Sequence, residues 1–342
     1  MIKRCLVTGC GGSIGVHVLA HIFTNTDWEV VGIDSFRHRG WTDRITGILE
    51  KHPEWSERLI VFTHDLSTPI SPILAKRMGK IDYVINLASL SDVQASIDDP
   101  VPFGRNNIEI AFTMAEYARE AKPEVFLHVS TDEVYGPVHK GEKHKEWAPK
   151  VPSSAYSASK SMQEDWFASY WRMFNLRLVI CNLMNNYGEF QSNKKYPVML
   201  QKWITNNEKV IIHGVQKESG ELEIGARAYI HSRNVADAFL FIIKNLPPYL
   251  HKPNEVDMPD RYNIAGDVFL NNLELAQLTA KLLGKDNFEY EVVDVHTSRP
   301  GHDLFYGLDM EKLTSLGWKS PVSFEESFKN TLDWQAEHQD WL

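Results

Sequence analysis

Short apolar runs recur along the first half of the chain, and each is bounded by polar or glycine-containing stretches. A short run without polar alternation is typical of a strand that is covered on both faces. The following segments are therefore predicted to be buried strands: Cys5–Val7, Val30–Ile33, Leu59–Phe62, Tyr83–Ile85, Val125–Val129 and Leu178–Ile180.

Stretches with helical periodicity lie between these runs, near residues 13–25, 106–121 and 156–174. Such alternation predicts an α/β fold of the Rossmann type, a doubly wound parallel sheet with helices on both faces. In a sheet of this kind, ligands bind at the carboxyl ends of the strands.

The pattern loosens in the second half, where loops lengthen and Gly, Pro and Asn become frequent. We expect residues 1–184, with about 228–252, to form the Rossmann domain. Residues of about 185–227 and 253–342 are expected to form a smaller C-terminal substrate-binding lobe. The apolar segment Val235–Ile243 predicts a helix that packs back on the sheet. A cleft between the two parts is the natural ligand site.

Composition and charge narrow the class of protein. The 342-residue chain is 43% hydrophobic and 24% charged, which is typical of a globular domain. Its net charge of -9 argues against a general nucleic-acid role, and no stretch approaches the roughly 20 apolar residues of a membrane span. The sparse, odd set of Cys5, Cys10 and Cys181 indicates reduced thiols and a cytoplasmic protein.

A glycine-rich segment, Thr8–Gly15, follows the first predicted strand and opens the first predicted helix. Its glycines allow a tight turn and a close approach of backbone to a pyrophosphate. Asp34 ends the second strand, where a carboxylate can accept both ribose hydroxyls of a dinucleotide. The cofactor-binding candidates here are Gly9, Gly12, Ser13, Ile14, Gly15 and Asp34.

NAD is favoured over NADP because the Asp34 carboxylate repels a 2′-phosphate. Arg37 and Arg39 follow closely and could reach such a phosphate, although loop arginines facing water are the more ordinary interpretation. Further cofactor contacts are expected where the third and fourth strands end, at Asp65, Leu66, Leu87, Ala88 and Ser89.

The candidate chemistry lies in the segment Ser130–Gly136 and in Tyr156 and Lys160. A Tyr and a Lys four residues apart share one helix face, where the ammonium can lower the phenol pKa and create a base. Asp132 and Glu133 add two carboxyl groups, which can act as acid and base if their pKa values differ. This combination indicates oxidation of an alcohol followed by elimination.

At these residues the chain resembles the extended short-chain dehydrogenase/reductase family, and within it the dTDP-glucose 4,6-dehydratase group. The resemblance covers nearly the whole length. It is carried by the glycine segment, Asp34, Ser130–Gly136, Tyr156-x-x-x-Lys160, Asn185–Gly188 and Arg299–Asp303.

The resemblance implies a role for each residue of the candidate site. Tyr156 would deprotonate the sugar 4-hydroxyl, Thr131 would hydrogen-bond the reacting oxygen, and Lys160 would hold the nicotinamide ribose of NAD. Glu133 would then remove the C5 proton, and Asp132 would protonate the departing 6-hydroxyl. The product would be a 4-keto-6-deoxy nucleotide sugar, with NAD regenerated.

The resemblance also implies further contacts and an assembly. Asn107 and Ser130 would complete the cofactor site, and the helices near 106–121 and 156–174 would form a homodimer interface. The substrate-binding residues would be Ser91, Asn185, Lys195, Arg227, Asn272, Arg299 and His302.

The sequence differs from that group at three places: Leu90, Lys194 and the longer segment Val215–Gly225. The resemblance therefore does not determine the sugar or the nucleobase of the substrate. A 4-epimerase or a decarboxylase of the same fold is the main alternative, and a non-catalytic dinucleotide-binding protein is a further one. His17 and His21 have a metal-ligand spacing, but no third ligand is evident, so no metal site is expected.

Overall fold

The computed structural model describes residues 2–37, 41–217, 219–285, 287–294 and 304–339. Three residues singled out from the sequence, Arg39, Arg299 and His302, lie outside these ranges.

A central sheet of parallel strands confirms the predicted Rossmann-type α/β fold. The sheet order is β7-β6-β5-β4-β1-β2-β3, so the chain reverses its direction of winding between β1 and β4. The carboxyl ends of these two strands therefore flank the position where such sheets bind ligands. The strands are β1 (Arg4–Thr8), β2 (Glu29–Asp34), β3 (Leu59–Thr63), β4 (Tyr83–Asn86), β5 (Val125–Thr131), β6 (Leu178–Leu183) and β7 (Asp260–Ile264).

Helices cover both faces of the sheet because each presents an apolar side to it. On one face α1 packs with α8, and on the other α5 packs with α6. The helices of the described residues are α1 (Ser13–Asn25), α2 (Trp41–Lys51), α3 (Pro72–Met78), α4 (Val93–Asp98), α5 (Pro100–Ala121), α6 (Ala155–Phe174), α7 (Tyr196–Thr205), α8 (Ser232–Asn245), α9 (Asn272–Leu282), α10 (Glu311–Ser315) and α11 (Phe324–Glu337). The helix predicted near 106–121 begins earlier than expected, at Pro100, whose missing N–H suits a first helical turn.

The prediction of a buried strand at Leu59–Phe62 was wrong about burial. The strand exists, but it lies at the edge of the sheet beside β2 only, and Ile60 and Val61 are 47% and 36% exposed. Apolar content alone does not report whether a neighbouring strand or helix covers the residue.

Strand β7 comes from the segment that the sequence analysis assigned to the smaller lobe. It pairs in parallel with β6 and extends the central sheet, with Tyr262 opposite Cys181. Its backbone groups therefore complete the hydrogen bonding of β6 on that side.

A smaller lobe is built around α7, α9 and α11, which share a separate apolar core. Its three-stranded sheet joins Val210–Gln216 to Leu222–Ile224 and Tyr290–Asp294. The longer segment noted in the sequence forms part of the hairpin between the first two of these strands. Two-stranded ladders join Ala226–Ala228 to Phe269–Asn271, and Asn186–Tyr187 to Ile230–His231.

Among the described residues, no helix combines the length and apolar character that crossing a membrane requires.

Candidate active site

The glycine segment lies at the reversal point of the sheet and turns sharply between β1 and α1. Gly9 adopts φ +66°, and a Cβ there would meet the Ala88 backbone at 3.1 Å. A Cβ on Gly15 would approach the Gly9 carbonyl oxygen to 2.2 Å, which is closer than real atoms allow. Glycine at these two positions therefore keeps the first turn of α1 close to the loop and its amides free of side chains.

Asp34 at the end of β2 fixes this loop. Its Oδ2 accepts a hydrogen bond from the Gly11 N–H at 2.9 Å, and its Oδ1 accepts one from the Phe36 N–H at 3.0 Å. A carboxylate at the end of the second strand of such a sheet is the group that accepts the ribose hydroxyls of a dinucleotide.

Arg44, which the sequence analysis missed, holds the loop from its other side. Its guanidinium donates to the Gly11 carbonyl at 3.0 Å and to the Phe190 carbonyl at 2.9 Å. Burial lowers the Arg44 pKa to about 10, partly offset by the charge of Asp34. No local motif marks this residue, because its partners are distant in sequence.

The backbone after β4 is held by a buried hydroxyl. Thr8 donates to Asn86 Oδ1 at 2.7 Å, and its oxygen accepts the N–H groups of Leu87 and Ala88, both at 3.1 Å. The two strands that flank the reversal point are thereby joined beside the predicted cofactor contacts, including Ser89.

Arg37 does not simply face water. It lies 3.1 Å from Asp65 and donates to Asn106 at 2.8 Å, so its charge is engaged by a carboxylate at the end of β3. Leu66, the next residue, is buried. This pairing makes Arg37 less available to a 2′-phosphate.

The Thr131-Asp132-Glu133 segment ends β5 and enters a short 3-10 turn, Asp132–Val134. Thr131 Oγ1 donates to Asp132 Oδ1 at 2.9 Å and accepts the Glu133 N–H at 3.3 Å. Two buried oxygens, Asp132 Oδ2 and Ser130 Oγ, have no hydrogen-bond partner within the part of the chain that the structure describes.

The two carboxyl groups have different surroundings. Asp132 is buried, and this burial raises its pKa to about 6 despite the Thr131 hydrogen bond and the charge of Arg227. Glu133 is only partly buried. A carboxyl group whose pKa is raised towards neutral pH, beside a more open carboxyl group, can serve as a proton donor.

Tyr156 lies in the first turn of α6, at the same site as these carboxyl groups. Its pKa is raised, first by removal from water and then by the charges of Glu133 and Asp132. The expected lowering of the phenol pKa by Lys160 is not found. The physical reason is that burial and two nearby negative charges all disfavour a phenolate.

Lys160 is almost fully buried one helical turn later. Its ammonium donates to the Val129 carbonyl at 2.8 Å and to Gln163 Oε1 at 2.6 Å. Burial lowers its pKa to about 7, and the charge of Glu164 opposes that change. The sequence analysis did not single out Gln163, although its position three residues after Lys160 places it on the same helix face.

Asn107 on α5 ties the helices to the end of β4. Its Nδ2 donates to the Leu90 carbonyl at 3.1 Å and to Ser159 Oγ at 2.8 Å, and its Oδ1 accepts the Leu90 N–H at 2.8 Å. Leu90, a departure from the resembled group, is thus held through its backbone.

The candidate substrate residues come from several elements of the smaller lobe and its rim. The guanidinium of Arg227 lies over the Tyr306 ring at 5.1 Å, and its charge acts on Asp132. Asn272 is buried and its N–H donates to the Gly225 carbonyl at 3.0 Å. The exposed candidates are Ser91, Asn185 and Lys195, the last being the N-cap of α7. Lys194 is also exposed.

The two histidines with metal-like spacing have separate partners. His17 Nε2 lies 3.1 Å from the Glu189 carbonyl oxygen, whereas His21 Nε2 lies 3.3 Å from Asp237. Burial lowers the His17 pKa to about 4. No cluster of three metal-ligating side chains occurs among the described residues.

Comparisons with known proteins place the chain among nucleotide-sugar enzymes. Residues 6–331 match the family model described as GDP-mannose 4,6 dehydratase. The dTDP-D-glucose 4,6-dehydratase of Mus musculus is 30% identical, over 97% of this chain and 88% of its own length. The corresponding protein of Homo sapiens is 29% identical, over 98% of this chain and 91% of its own length.

Solved structures share the fold. A double mutant of dTDP-glucose 4,6-dehydratase from Streptomyces venezuelae, solved with NAD bound, superposes with a TM-score of 0.84 at 25% identity, over 99% of this chain and 98% of that one. A UDP-glucuronic acid 4-epimerase mutant from Bacillus cereus superposes with a TM-score of 0.83 at 22% identity, over 98% of this chain and all of that one. The second likeness concerns the fold alone.

Proposed function

This chain belongs to the GDP-mannose 4,6 dehydratase family, and we propose that it converts an NDP-hexose, dTDP-glucose or a UDP relative, into the NDP-4-keto-6-deoxy-hexose. It is an NAD-dependent nucleotide-sugar 4,6-dehydratase. One observation carries the assignment of the chemistry: Asp132 and Glu133 both act electrostatically on the Tyr156 phenol. Elimination of water needs an acid and a base beside the residue that deprotonates the alcohol during its oxidation.

The described residues suit NAD. Glycines at 9 and 15 leave a cradle that a Cβ would fill, and Asp34 offers its carboxylate at the end of β2. The buried Ser130 hydroxyl lacks a partner in the described part of the chain and can bond the cofactor. When bound, NAD accepts a hydride from the sugar C4 and returns it to C6.

Tyr156 takes the proton of the 4-hydroxyl in the first step. Burial keeps the phenol protonated at neutral pH, so it must first release its own proton to solvent before it can act as a base. The charged Lys160 on the same helix face would stabilise the resulting phenolate. Thr131 has its own proton engaged by Asp132, so its oxygen accepts from the reacting hydroxyl or from Tyr156.

Glu133 removes the C5 proton once a ketone at C4 has made it acidic. Asp132 then gives its proton to the departing 6-hydroxyl, which leaves as water. When the hydride adds at C6, Glu133 returns the proton to C5. The raised pKa of Asp132, about 6, suits a donor near neutral pH, since a fraction of the groups carries the proton and releases it readily.

The nucleotide diphosphate is held by the smaller lobe in this proposal. Arg227 lies on a strand that pairs with the strand preceding Asn272, and the exposed Lys195, Asn185 and Ser91 would complete the contacts. Arg299 and His302 join them by resemblance only. The division into a Rossmann domain and a substrate-binding lobe is also part of the proposal. Strand β7 then belongs to the Rossmann domain, because it extends the central sheet.

A substrate panel tests the proposal. The protein is incubated with dTDP-, UDP- and GDP-hexoses, and mass spectrometry follows the loss of one water from each. We expect dehydration of dTDP-glucose or a UDP relative. If every nucleotide sugar returns unchanged while NAD is bound, the proposed reaction is wrong.

Asp132→Asn separates this reaction from the epimerase or decarboxylase alternative. A dehydratase loses its proton donor, so water loss falls by about 100-fold or more while oxidation at C4 persists. An epimerase needs no such donor and retains its turnover. Epimerised product without water loss, in the wild type, would favour the alternative.

Homodimerisation through α5 and α6 is part of the proposal. The two helices expose large apolar side chains, among them Val101, Met162, Trp166 and Met173, which a partner surface would cover. Sedimentation analysis of the wild type and of Trp166→Glu tests this, with a shift from dimer to monomer expected. The free, buried thiols of Cys5, Cys10 and Cys181 support a reducing, cytoplasmic setting.

A further inference from the structure

Gln163 is buried without exposed area, and its two amide ends contact two different elements. Oε1 accepts the Lys160 ammonium at 2.6 Å, and Nε2 donates to the Asn107 backbone carbonyl at 2.6 Å. The side chain therefore bridges α6 and α5 beside the lysine.

The chemistry of the partners fixes the orientation of this amide. The ammonium of Lys160 can only donate, and the carbonyl of Asn107 can only accept. A flipped amide would place donor against donor and acceptor against acceptor. Only one orientation of Gln163 satisfies both contacts, so it defines where the ammonium can lie.

The bridge continues to the cofactor side of the sheet. The Asn107 side chain bonds both the N–H and the carbonyl of Leu90, just beyond the end of β4. Lys160, Gln163, Asn107 and Leu90 thus form one connected chain of hydrogen bonds. Its far end is adjacent to Ser89, where cofactor contacts are expected.

We propose that Gln163 is a positioning residue. It holds the Lys160 ammonium at a fixed position relative to α5 and the end of β4, on that side of the cofactor site. This inference rests on the proposed role of Lys160 in holding the nicotinamide ribose. Val129 alone would leave the ammonium with a single acceptor and free to rotate about it.

Other ionisable groups near Lys160 also affect its protonation and therefore bear on a pH test. Glu164 follows on α6 and favours the charged lysine, whereas the buried His128 on β5 senses the lysine charge as a repulsion. Tyr156 shares the helix face. None of these groups replaces the Oε1 acceptor, because the ammonium hydrogen bonds found go to Val129 and Gln163.

The experiment compares Gln163→Met and Gln163→Glu with the wild type by titrating NAD from about pH 5 to about pH 9. Quenching of tryptophan fluorescence reports binding without any turnover. Methionine removes the acceptor for the Lys160 ammonium, so Lys160 should lose its proton at a lower pH than in the wild type. NAD affinity should therefore fall at a pH about one unit lower. In Gln163→Glu the carboxylate remains an acceptor and adds negative charge. The alkaline limit of NAD binding, the pH above which affinity falls, should therefore move to a higher value.

Gln201→Met is the matched control. Gln201 is also buried and donates its amide to a backbone carbonyl, that of Leu332, but it lies in α7. Its pH profile of NAD binding should equal that of the wild type. Equal pH profiles of NAD binding for all variants would overturn the proposal. Shifts of the Gln163→Met and Gln163→Glu profiles in the same direction would also overturn it.

Kinetics provide a second measurement where the enzyme turns over. Gln163→Met should lower kcat about tenfold with little change in KM for the sugar, since the sugar contacts are intact. If Gln163→Met fails to fold, Gln163→Glu decides alone, and an alkaline limit that does not rise refutes the role. Absence of turnover in the wild type would count against the proposed reaction, while the NAD titration would still decide the role of Gln163.

Discussion

Thr131 donates its hydroxyl proton to Oδ1 of Asp132 across 2.9 Å, while Asp132 Oδ2 has no hydrogen-bond partner among the described residues. The carboxyl group is thus oriented by one oxygen and buried with the other unpaired. Such a group favours its protonated form, because only a proton relieves the cost of burying an unpaired carboxylate oxygen. The pair therefore combines fixed geometry with a raised carboxyl pKa.

The burial of Asp132 predicts a pH-dependent stability. Its folded pKa, about 6, lies above the ordinary value, so the folded state binds more protons than the unfolded state between these values. This carboxyl group therefore destabilises the fold increasingly as pH rises from 3.8 to about 6, and by a constant amount at higher pH. Asp132→Asn should be more stable than the wild type at pH 8, by up to about 3 kcal/mol, with the gain vanishing near pH 4. Urea unfolding at several pH values measures it, and a gain that is independent of pH contradicts the assignment.

Glu133→Gln should stall the reaction after oxidation of the sugar. The amide cannot accept the C5 proton, so elimination slows by about 100-fold or more while Tyr156 and Lys160 remain in place. Single-turnover absorbance of reduced nicotinamide should rise and persist. Product formed at the wild-type rate, with no such signal, would move the base to another residue.

Gly15→Ala should disrupt the cofactor loop, whereas Gly12→Ala should be much milder. The added methyl group at 15 meets the Gly9 carbonyl oxygen at 2.2 Å and the Cys10 backbone at 2.9 Å. At 12 the nearest atom, again the Gly9 oxygen, is 3.1 Å away, which a small shift relieves. We expect NAD affinity to fall at least about tenfold for the first variant and less for the second. Equal affinities in a calorimetric titration would show that the backbone can relax around the methyl group.

Arg261 and Glu164 form a buried ion pair that should be costly to break from one side. Arg261 Nη2 donates to Glu164 Oε2 at 2.7 Å, and both side chains are nearly inaccessible. Arg261→Met leaves the carboxylate with only the more distant Lys150 ammonium, at 3.7 Å, and should lower the free energy of unfolding by about 3 kcal/mol. The double variant Arg261→Met/Glu164→Gln should be less destabilised than the sum of the single variants. Strict additivity in denaturant unfolding would indicate that the two groups do not interact.

Much of the candidate site could be predicted from the sequence because its signals are local. The glycine spacing before α1, the carboxylate that ends β2 and the Tyr156–Lys160 spacing each need only a few consecutive residues. Arg44 could not be found in this way, since its partners Gly11 and Phe190 are far from it along the chain.

The sequence by itself determined the strand and helix order, since side-chain periodicity follows directly from backbone geometry. It also placed Tyr156 and Lys160 on one helix face. Only the tertiary structure decided that β3 is exposed at an edge, that Asp260–Ile264 extends the sheet, and that burial raises the Tyr156 pKa instead of lowering it. Exposure and protonation depend on which distant segments cover a residue and which charges they bring, and no local pattern contains that information.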